Sequence, residues 1–360
     1  MSTLYAIIMA GGSGTRFWPA SRKARPKQLL PIGGDKALLV QTSERLLALI
    51  PPARQLVITS ARYAQAVREL LPGIPSAQVI GEPEGRDTAA CIGLAARLLA
   101  RLDPDAVGVA MPADHVLSPL PVFHERLRAA AEALAVHPRS VLVFGIQPDR
   151  PATGYGYLRS GAKLGTFGGC EVSRLAAFVE KPDRARAEVL LAQGGHLWNA
   201  GLFAFRPEAM GAAIAQHLPA LVPGLDAIAA TWDTPRFEAA LAEHYPRLQK
   251  ISIDYGVMEK LLDALLLPLP LQWDDVGAWD ALARLLPADA SGNVAQGAHV
   301  ILDGRNLLLS ASGGMIAAKG VSDLIIVHTP DATLVCRRDD SEGVKAIVAA
   351  LRERGRAQFE

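Results

Sequence analysis

Cysteine, net charge and long apolar runs are all scarce in this sequence of 360 residues. Its three cysteines, Cys91, Cys170 and Cys336, lie far apart without metal-ligand spacing, which suits reduced thiols in a cytosolic protein. A formal net charge of +1 offers no electrostatic footprint for nucleic acid or membrane. No run approaches the ~20 apolar residues of a membrane span, and no signal-peptide pattern opens the chain. We expect a soluble cytoplasmic protein that binds neither nucleic acid nor membrane.

The residues that are present favour an α/β protein with two domains. Half of them are hydrophobic, and the length exceeds the ~100–200 residues of a usual domain. Short apolar runs alternate with amphipathic segments in the first half, which predicts βαβ units in a Rossmann-like fold with a mixed, mostly parallel sheet. From about Gly292, β-like runs alternate with Gly, Asp and Ser turns. We predict a large α/β domain over 1–288 and a small β-rich, β-helix-like domain with a terminal helix over 289–360.

The periodicity also predicts individual elements. Strands are expected at 6–9, 56–59, 106–111, 141–145, 171–180 and 198–205, and in the last region at 298–302, 306–309, 315–318, 324–327 and 332–336. Helices are expected at 37–49, 61–71, 88–102, 122–136, 185–191, 257–266, 278–286 and 342–352. In sheets of this type, ligands bind beyond the carboxyl ends of the strands.

The most informative segment is residues 6–30, where a buried strand leads into a Gly-rich turn and then into a cluster of basic residues. A turn without Cβ atoms lets backbone N–H groups approach an anion closely, and the basic side chains neutralise it. The segment therefore predicts a polyphosphate site. It is not a P-loop, because no Lys-Ser/Thr follows Gly14, and not a dinucleotide fingerprint, because Phe17 holds the place of the third glycine.

Several further segments connect this turn with one family. They are Trp18-Pro19, Pro26-Lys27-Gln28, Glu82-Pro83-Glu84-Gly85-Arg86-Asp87-Thr88-Ala89, Pro112-Ala113-Asp114-His115, Gly154-Tyr155-Gly156-Tyr157, Phe178-Val179-Glu180-Lys181-Pro182, Trp198-Asn199-Ala200-Gly201, residues 252–260 and Asp274-Asp275-Val276-Gly277-Ala278-Trp279. With them the chain resembles the sugar-nucleotide pyrophosphorylases, and among these the mannose-1-phosphate guanylyltransferases, in a short form without an isomerase domain.

The resemblance implies a reaction and an assembly. GTP and α-D-mannose 1-phosphate would give GDP-mannose and pyrophosphate, by Mg²⁺-assisted in-line attack of the sugar phosphate on the α-phosphorus. The protein would be a homodimer. Two alternatives stay open: a nucleotidyltransferase for a different nucleotide or sugar 1-phosphate, and a non-catalytic regulatory paralogue that binds GDP-mannose.

The resemblance also implies site residues. The catalytic set is Arg16, Lys27, Asp114, Lys181 and Asp275. Nucleotide would be bound by Gly11, Gly12, Ser13, Gly14, Thr15, Arg16, Lys27, Glu82, Gly85, Arg86, Thr88 and Asp114, and sugar phosphate by Gly154, Tyr155, Glu180, Lys181, Asn199 and Asp275. Mg²⁺ would be held by Asp114 and Asp275, with Asp274 as the alternative to Asp275.

Chemistry gives some of these residues particular roles. The Glu82 carboxylate suits guanine, because it can accept from N1–H and the 2-amino group together. Glu180 and Lys181 are neighbours, and alternation in a strand sends neighbouring side chains to opposite faces, so both reach one ligand only if the strand ends or twists there. Asp254 is expected to serve either the structure or the sugar pocket.

Overall fold

The computed structural model describes residues 2–12 and 14–360, so the predicted contact residue Ser13 lies outside the described residues. Contacts divide the chain into two compact units. The first consists of residues up to Gly11, Ser43–Pro112 and Leu117–Trp273, and the second of Gly12–Thr42, Ala113–Val116 and Asp274–Glu360. Both units are discontinuous in sequence. The boundary between 288 and 289 stays a prediction.

The strands are numbered in chain order. They are β1 (Leu4–Ala10), β2 (Gln55–Ser60), β3 (Val79–Glu82), β4 (Val107–Pro112), β5 (Val116–Ser118), β6 (Val141–Ile146), β7 (Tyr157–Phe167), β8 (Cys170–Val179), β9 (His196–Phe205), β10 (Leu265–Pro268), β11 (Gln272–Asp274), β12 (Val294–Leu302), β13 (Leu308–Lys319), β14 (Leu324–Thr329) and β15 (Ala332–Arg337).

The α-helices are shorter on average than the alternation of the first half suggests. They are α1 (Leu38–Glu44), α2 (Ala64–Leu70), α3 (Asp87–Leu102), α4 (Leu120–Val136), α5 (Arg184–Gln193), α6 (Pro207–His217), α7 (Val222–Ala230), α8 (Phe237–His244), α9 (Ile253–Gly256), α10 (Ala281–Leu285) and α11 (Val344–Glu353). Among the described residues, no single helix is long and apolar enough to cross a membrane. Pro207–His217 and Pro219–Ala230, bent by 112°, pass only as a pair and only by length and composition.

The first unit is built on one mixed sheet. Within the described residues it has nine strands in the order β3-β2-β1-β4-β9-β6-β10-β8-β7. The strands β3, β2, β1 and β4 are mutually parallel, and only β8 and β9 run against the other seven. The carboxyl ends of β1 and β3 lie at one edge of the sheet, at Ala10 and Glu82. This edge is where ligands bind in such sheets.

Burial explains why these segments form strands and helices. β1 and β6 are continuous apolar runs because both faces of the sheet are covered. The helix α3 is rich in alanine and packs closely on α6 and α7, and a Cβ at Gly93 would lie 2.7 Å from Cδ1 of Leu225. The first four predicted strands and the helices at 88–102 and 122–136 are confirmed.

One predicted helix is wrong. Residues 257–266 do not form the expected helix; α9 ends at Gly256, and β10 starts at Leu265. β10 lies between β6 and β8 with Leu265, Leu266 and Leu267 fully buried. A short apolar run with both faces covered has no period that separates a strand from a helix. The strands β3, β5, β7 and β11 and the helices α6 to α9 are additions to the elements that the periodicity predicts.

The second unit contains the small β-rich region. Strands β12, β13 and β14 pair in parallel, and β15 pairs with β14 in antiparallel fashion. Its core contains apolar residues of β13, β14 and α11 together with Phe17, Trp18 and Trp279. We call the Gly-rich turn after β1 and the residues up to Trp18 the signature turn. Its aromatic residues, Phe17 and Trp18, thus belong to the core of the second unit. The predicted α/β fold with a β-helix-like domain is confirmed.

Candidate functional site

Gly14 brings the signature turn into direct contact with Lys27. Its φ is +60°, a value that favours glycine, and a Cβ there would lie 2.3 Å from the Lys27 Cβ. The carbonyl of Gly14 accepts hydrogen bonds from Phe17 N at 3.0 Å and from Ser21 Oγ at 2.6 Å. No larger residue fits at position 14, so the glycine sets where Lys27 lies.

The ammonium of Lys27 joins the two predicted metal-binding segments. Its Nζ lies 2.8 Å from Asp114 Oδ2 and 2.8 Å from the carbonyl oxygen of Asp275. The Lys27 side chain is 6% exposed and that of Asp114 is 34% exposed. Burial works to raise the pKa of Asp114, but the charges of Lys27 and His115 and the hydrogen bond from Lys27 hold it below its ordinary value. Oxygen atoms from both segments therefore converge on one cation.

Asp274 and Asp275 differ in burial and in their surroundings. Asp274 is buried, and its Oδ1 accepts from Val276 N at 2.7 Å while its Oδ2 accepts from Arg284 Nε at 2.7 Å. Asp275 is half-buried, and its carboxylate lies over Gly277, where a Cβ would be 3.2 Å from Oδ2. Val276 has a φ of +47°, an outlier for a β-branched residue. The left-handed backbone therefore lies directly after the two acidic residues.

Arg16 presents its guanidinium to solvent. It lies in a single 3₁₀ turn, Thr15–Phe17, whose Phe17 is buried while Thr15 and Arg16 are exposed. The Arg16 side chain makes no hydrogen bond or ion pair with the part of the chain that the structure describes. Gly12 is exposed too, with open space where a Cβ would be. The turn thus offers a cation and uncovered backbone to a ligand.

In the first unit, Glu82 ends β3 beside the start of the signature turn. It is 7% exposed, and a Cβ at Gly11 would lie 3.3 Å from its Oε2. The Tyr245 hydroxyl donates a hydrogen bond to Oε1. Burial raises the pKa of Glu82 to about 7; the Tyr245 hydrogen bond opposes this rise, and the nearby Asp87 charge adds to it. Glu82 is therefore a carboxylate whose charge changes near neutral pH.

The other predicted nucleotide residues of this unit surround the start of α3. Arg86 pairs with Glu84 at 2.9 Å, and its buried Nε has no partner among the described residues. The Thr88 hydroxyl accepts a hydrogen bond from Ile253 N at 2.8 Å, which gives it a structural role. Gly85 is exposed with open space around its Cα. Of these three residues, only Arg86 has an unused buried donor among the described residues.

Glu180 and Lys181 lie just beyond the end of a strand, which is the condition under which both side chains can reach one ligand. The strand β8 ends at Val179, and Lys181 has a φ of +44°. The two side chains form an ion pair with each other instead of pointing apart. The Glu180 side chain is 4% exposed, and its Oε2 is buried without a hydrogen-bond partner in the described parts of the chain. A Cβ at Gly156 would lie 2.5 Å from that oxygen, so the glycine makes room for it.

Asn199 and Asp254 stand beside this pair. Asn199 Nδ2 donates to Asp254 Oδ1 at 2.9 Å, and its Oδ1 accepts from Gly201 N at 3.0 Å. Burial, and then the charge of Glu180, raise the pKa of Asp254 to about 6. Burial would lower the pKa of Lys181, but Glu180 and Asp254 raise it above its ordinary value. The cluster is a buried carboxylate pair with one cation.

Tyr155 belongs to an aromatic cluster in the same unit. Its ring packs edge-to-face on Trp198, with centroids 5.1 Å apart, and on Trp273, with centroids 5.0 Å apart. Gly154 is exposed with open space around it.

Comparisons with known proteins identify the family of this chain. Residues 5–292 match the family described as Nucleotidyl transferase. This chain belongs to the nucleotidyl transferase family. Residues 297–351 match the MannoseP isomerase/GMP-like beta-helix domain, in agreement with the β-rich region of the second unit.

Relatives cover nearly the whole chain. A mannose-1-phosphate guanylyltransferase of Klebsiella pneumoniae is 36% identical over 359 residues, which are 99% of this chain and 75% of the relative. The alginate biosynthesis protein AlgA of Pseudomonas aeruginosa is 36% identical over 98% of this chain and 73% of its own. A structure from Thermus thermophilus, described as a mannose-1-phosphate geranyltransferase, is 37% identical with a TM-score of 0.87, and covers 97% of this chain and 99% of that one. The predicted resemblance and enzyme class are confirmed.

The structure adds one contact residue that no motif of the sequence indicates. Tyr245 lies in no motif, yet its hydroxyl holds Glu82 across 163 residues of chain. Asp254, for which the sequence leaves two roles open, stands in the Glu180 cluster. Among the described residues, no group of three or more His, Cys, Asp or Glu side chains has metal-binding geometry. The roles assigned to individual residues stay predictions.

Proposed function

We propose that this nucleotidyl transferase transfers GMP from GTP to α-D-mannose 1-phosphate, giving GDP-mannose and pyrophosphate. The observation that carries the proposal is the contact of Lys27 with Asp114 and with the backbone of Asp275. It joins three separate motifs of the signature into one charged centre. The names of the Klebsiella and Escherichia coli relatives support the choice of substrates.

The phosphate chemistry asks for positioning and charge neutralisation. An oxygen of the sugar phosphate attacks the α-phosphorus, and pyrophosphate leaves from the opposite side, so no covalent enzyme intermediate is needed. Lys27 is a buried cation with a fixed position, which suits the charge that develops at the α-phosphate. Arg16 is exposed and unpaired within the described chain, which suits the β- and γ-phosphates. Uncovered backbone at Gly12 adds N–H donors.

Guanine recognition is assigned to Glu82. One of its oxygens is held by Tyr245, and the other faces Gly11, which has no side chain to block a base. Guanine offers N1–H and a 2-amino group to a carboxylate, whereas adenine has no such pair of donors. The buried Nε of Arg86, unpartnered within the described residues, offers a further donor to the nucleotide.

The mannose 1-phosphate subsite is assigned to Glu180 and Lys181. The side chain of Lys181 is half-exposed and meets the sugar phosphate, while Glu180 Oε2, unpartnered within the described chain, accepts from a sugar hydroxyl. Asn199 and Gly154 border the sugar. Asn199 acts in part through Asp254, because their hydrogen bond fixes both side chains.

We assign a Mg²⁺ site to Asp114 and Asp275. Magnesium prefers one or two carboxylates together with phosphate oxygens and water, and this pair of acidic residues fits that preference. The contacts of Lys27 support the assignment, because oxygens of both segments lie within reach of one cation. The ion would offset the repulsion between nucleotide and sugar phosphate. Asp274 fits less well because Arg284 and Val276 occupy both of its oxygens.

A panel of nucleoside triphosphates and sugar 1-phosphates, assayed for pyrophosphate release, tests the proposal. GTP with mannose 1-phosphate is expected to give the highest kcat/KM. A clear preference for UTP or dTTP, or for another sugar 1-phosphate, would contradict it. Binding of GDP-mannose without turnover of any pair would indicate a regulatory paralogue instead.

We further propose a homodimer formed through the β-rich region. The face of β12 and β13 that holds Ala298, Val300, Leu302, Met315 and Ala317 is exposed and apolar. Apolar surface of this kind usually marks an interface. Light scattering on the full chain is expected to give twice the monomer mass, and the Met315→Glu variant to give a monomer. A monomer for the unchanged chain would overturn this assignment.

A further inference from the structure

Residues 357–360 are docked on the loop that follows the signature turn. The indole Nε1 of Trp18 donates to the carbonyl of Phe359 at 2.7 Å, and a guanidinium nitrogen of Arg22 donates to the same oxygen. The backbone N–H of Lys23 donates to the carbonyl of Glu360 at 3.1 Å. Three residues of the loop thus bind one short segment from the other end of the second unit.

Ion pairs of the Glu360 side chain stabilise the contact between residues 357–360 and the loop. It is 1% exposed and forms ion pairs with the ammonium of Lys23 and with Arg352 Nη2, the latter at 3.0 Å. A buried carboxylate is costly unless cations and hydrogen bonds compensate it. Here one cation comes from the loop and the other from α11, so the pair of bridges ties the loop to that helix.

A chain of aromatic contacts connects Trp18 with Lys27. Its carbonyl accepts a hydrogen bond from Trp279 Nε1 at 2.9 Å, and the rings of Trp279 and Phe17 lie 4.9 Å apart. Phe17 in turn lies under the Lys27 ammonium, at 5.6 Å from Nζ to the ring centroid. Trp279 also follows Asp275 by four residues. One tryptophan therefore holds residues 357–360, the signature turn and the segment with Asp275 together.

We propose that Trp18 and Glu360 are positioning residues for the signature turn, which we assign to pyrophosphate binding. Both act through other residues: Trp18 holds the turn that carries Arg16, and Glu360 holds the loop between that turn and Lys27. A displacement of about 1 Å in such groups is enough to slow a reaction that depends on orientation. The inference rests on the proposed function, since it takes Arg16 and Lys27 as the groups that meet pyrophosphate.

The variants Trp18→Phe and Glu360→Gln test this assignment by separate contacts. Trp18→Phe keeps an aromatic ring but removes the indole donor, and Glu360→Gln keeps the shape but removes the charge. Trp232→Phe is the matched control: Trp232 is similarly buried and donates to the Ala77 carbonyl at 3.5 Å in the first unit. Two readouts are used: amide hydrogen exchange of residues 14–25, and KM values in both directions of the reaction.

Loss of one hydrogen bond or bridge of this kind predicts a change of about fivefold. Both variants are expected to speed exchange in residues 14–25 and to raise the KM for pyrophosphate by that factor, with the KM for mannose 1-phosphate within about twofold of the unchanged protein. Trp232→Phe is expected to do neither. Unchanged exchange, or equal changes in both KM values, would overturn the proposal. The exchange readout needs no turnover, so a failed assay of the unchanged protein would count only against the proposed function.

Discussion

The hydroxyl of Tyr245 donates a hydrogen bond to Oε1 of Glu82, although 163 residues separate the two in sequence. This contact fixes a buried carboxylate at the carboxyl end of β3 and lowers its pKa, against the larger effect of burial, which raises it. The proposed guanine site therefore depends on a group whose charge changes near neutral pH. Two predictions concern this group.

The first is a pH dependence of GTP binding. Only the ionised carboxylate accepts from both guanine donors, and with a pKa of about 7 its ionised fraction falls as pH decreases. The KM for GTP is expected to rise by roughly tenfold between pH 8 and pH 6. Tyr245→Phe removes the hydrogen bond that lowers the pKa, so its profile is expected to move to higher pH. Initial rates across this range check the prediction, and a KM that does not change with pH would contradict it.

The second is a gain of stability on replacing Glu82. The folded pKa, about 7, lies above the ordinary value of 4.5, so the folded state binds more protons between these values and stability falls as pH rises through this window. Glu82→Gln removes this loss of stability at high pH, because the glutamine side chain does not ionise. Its amide oxygen still accepts the hydrogen bond from the Tyr245 hydroxyl. The free energy of unfolding is expected to exceed that of the unchanged protein by about 3 kcal/mol at pH 8 and to equal it near pH 4.

Glu84→Gln is the control for that measurement. Glu84 is exposed and pairs with Arg86 at the surface, so its replacement is expected to change stability by less than about 1 kcal/mol at either pH. Thermal or denaturant unfolding at the two pH values makes the comparison. If Glu82→Gln were no more stable at pH 8 than the unchanged protein, the raised pKa of Glu82 would be wrong.

A third prediction concerns Gly14. Gly14→Ala places a Cβ 2.3 Å from the Lys27 Cβ at a φ of +60°, so either the turn or Lys27 must move. Strain of about 1–3 kcal/mol and a large loss of kcat/KM are expected. The control is Gly34→Ala in the same unit, where a Cβ would meet only the Gln41 side chain at 3.5 Å. Unfolding curves and initial rates of the two variants test this prediction. Equal effects of both substitutions would count against the role of Gly14.

Glu180 and Lys181 show how far the sequence predicts the site. Alternation predicts opposite faces for neighbours in a strand, and Pro182 indicates an end of the strand nearby. The left-handed backbone of Lys181, which brings the two side chains together, depends on tertiary packing and has no sequence signal of its own. The sequence therefore predicts that the strand ends near Glu180 and Lys181, but it does not predict the backbone conformation that brings their side chains together.

Long-range contacts are the least predictable feature of the site. Tyr245 belongs to no motif, and nothing local connects it with Glu82. The strand β10 resembles a helix in sequence because a fully buried run carries no period. By contrast, Asp114 follows β4, which pairs in parallel with β1, and parallel topology brings segments that follow adjacent strands together. Lys27 comes after β1 in the chain and contacts Asp114. The order of the strands therefore predicts this contact better than the types of the two residues do.

The Mg²⁺ dependence of GDP-mannose formation in Asp275→Ala tests the central claim most directly. We predict that this variant stays folded and loses Mg²⁺-dependent turnover by at least about a hundredfold. Asp274→Ala is the comparison, expected to lower the unfolding temperature because Arg284 and Val276 lose their acceptor. Unchanged turnover by Asp275→Ala at every Mg²⁺ concentration would contradict the proposed metal site.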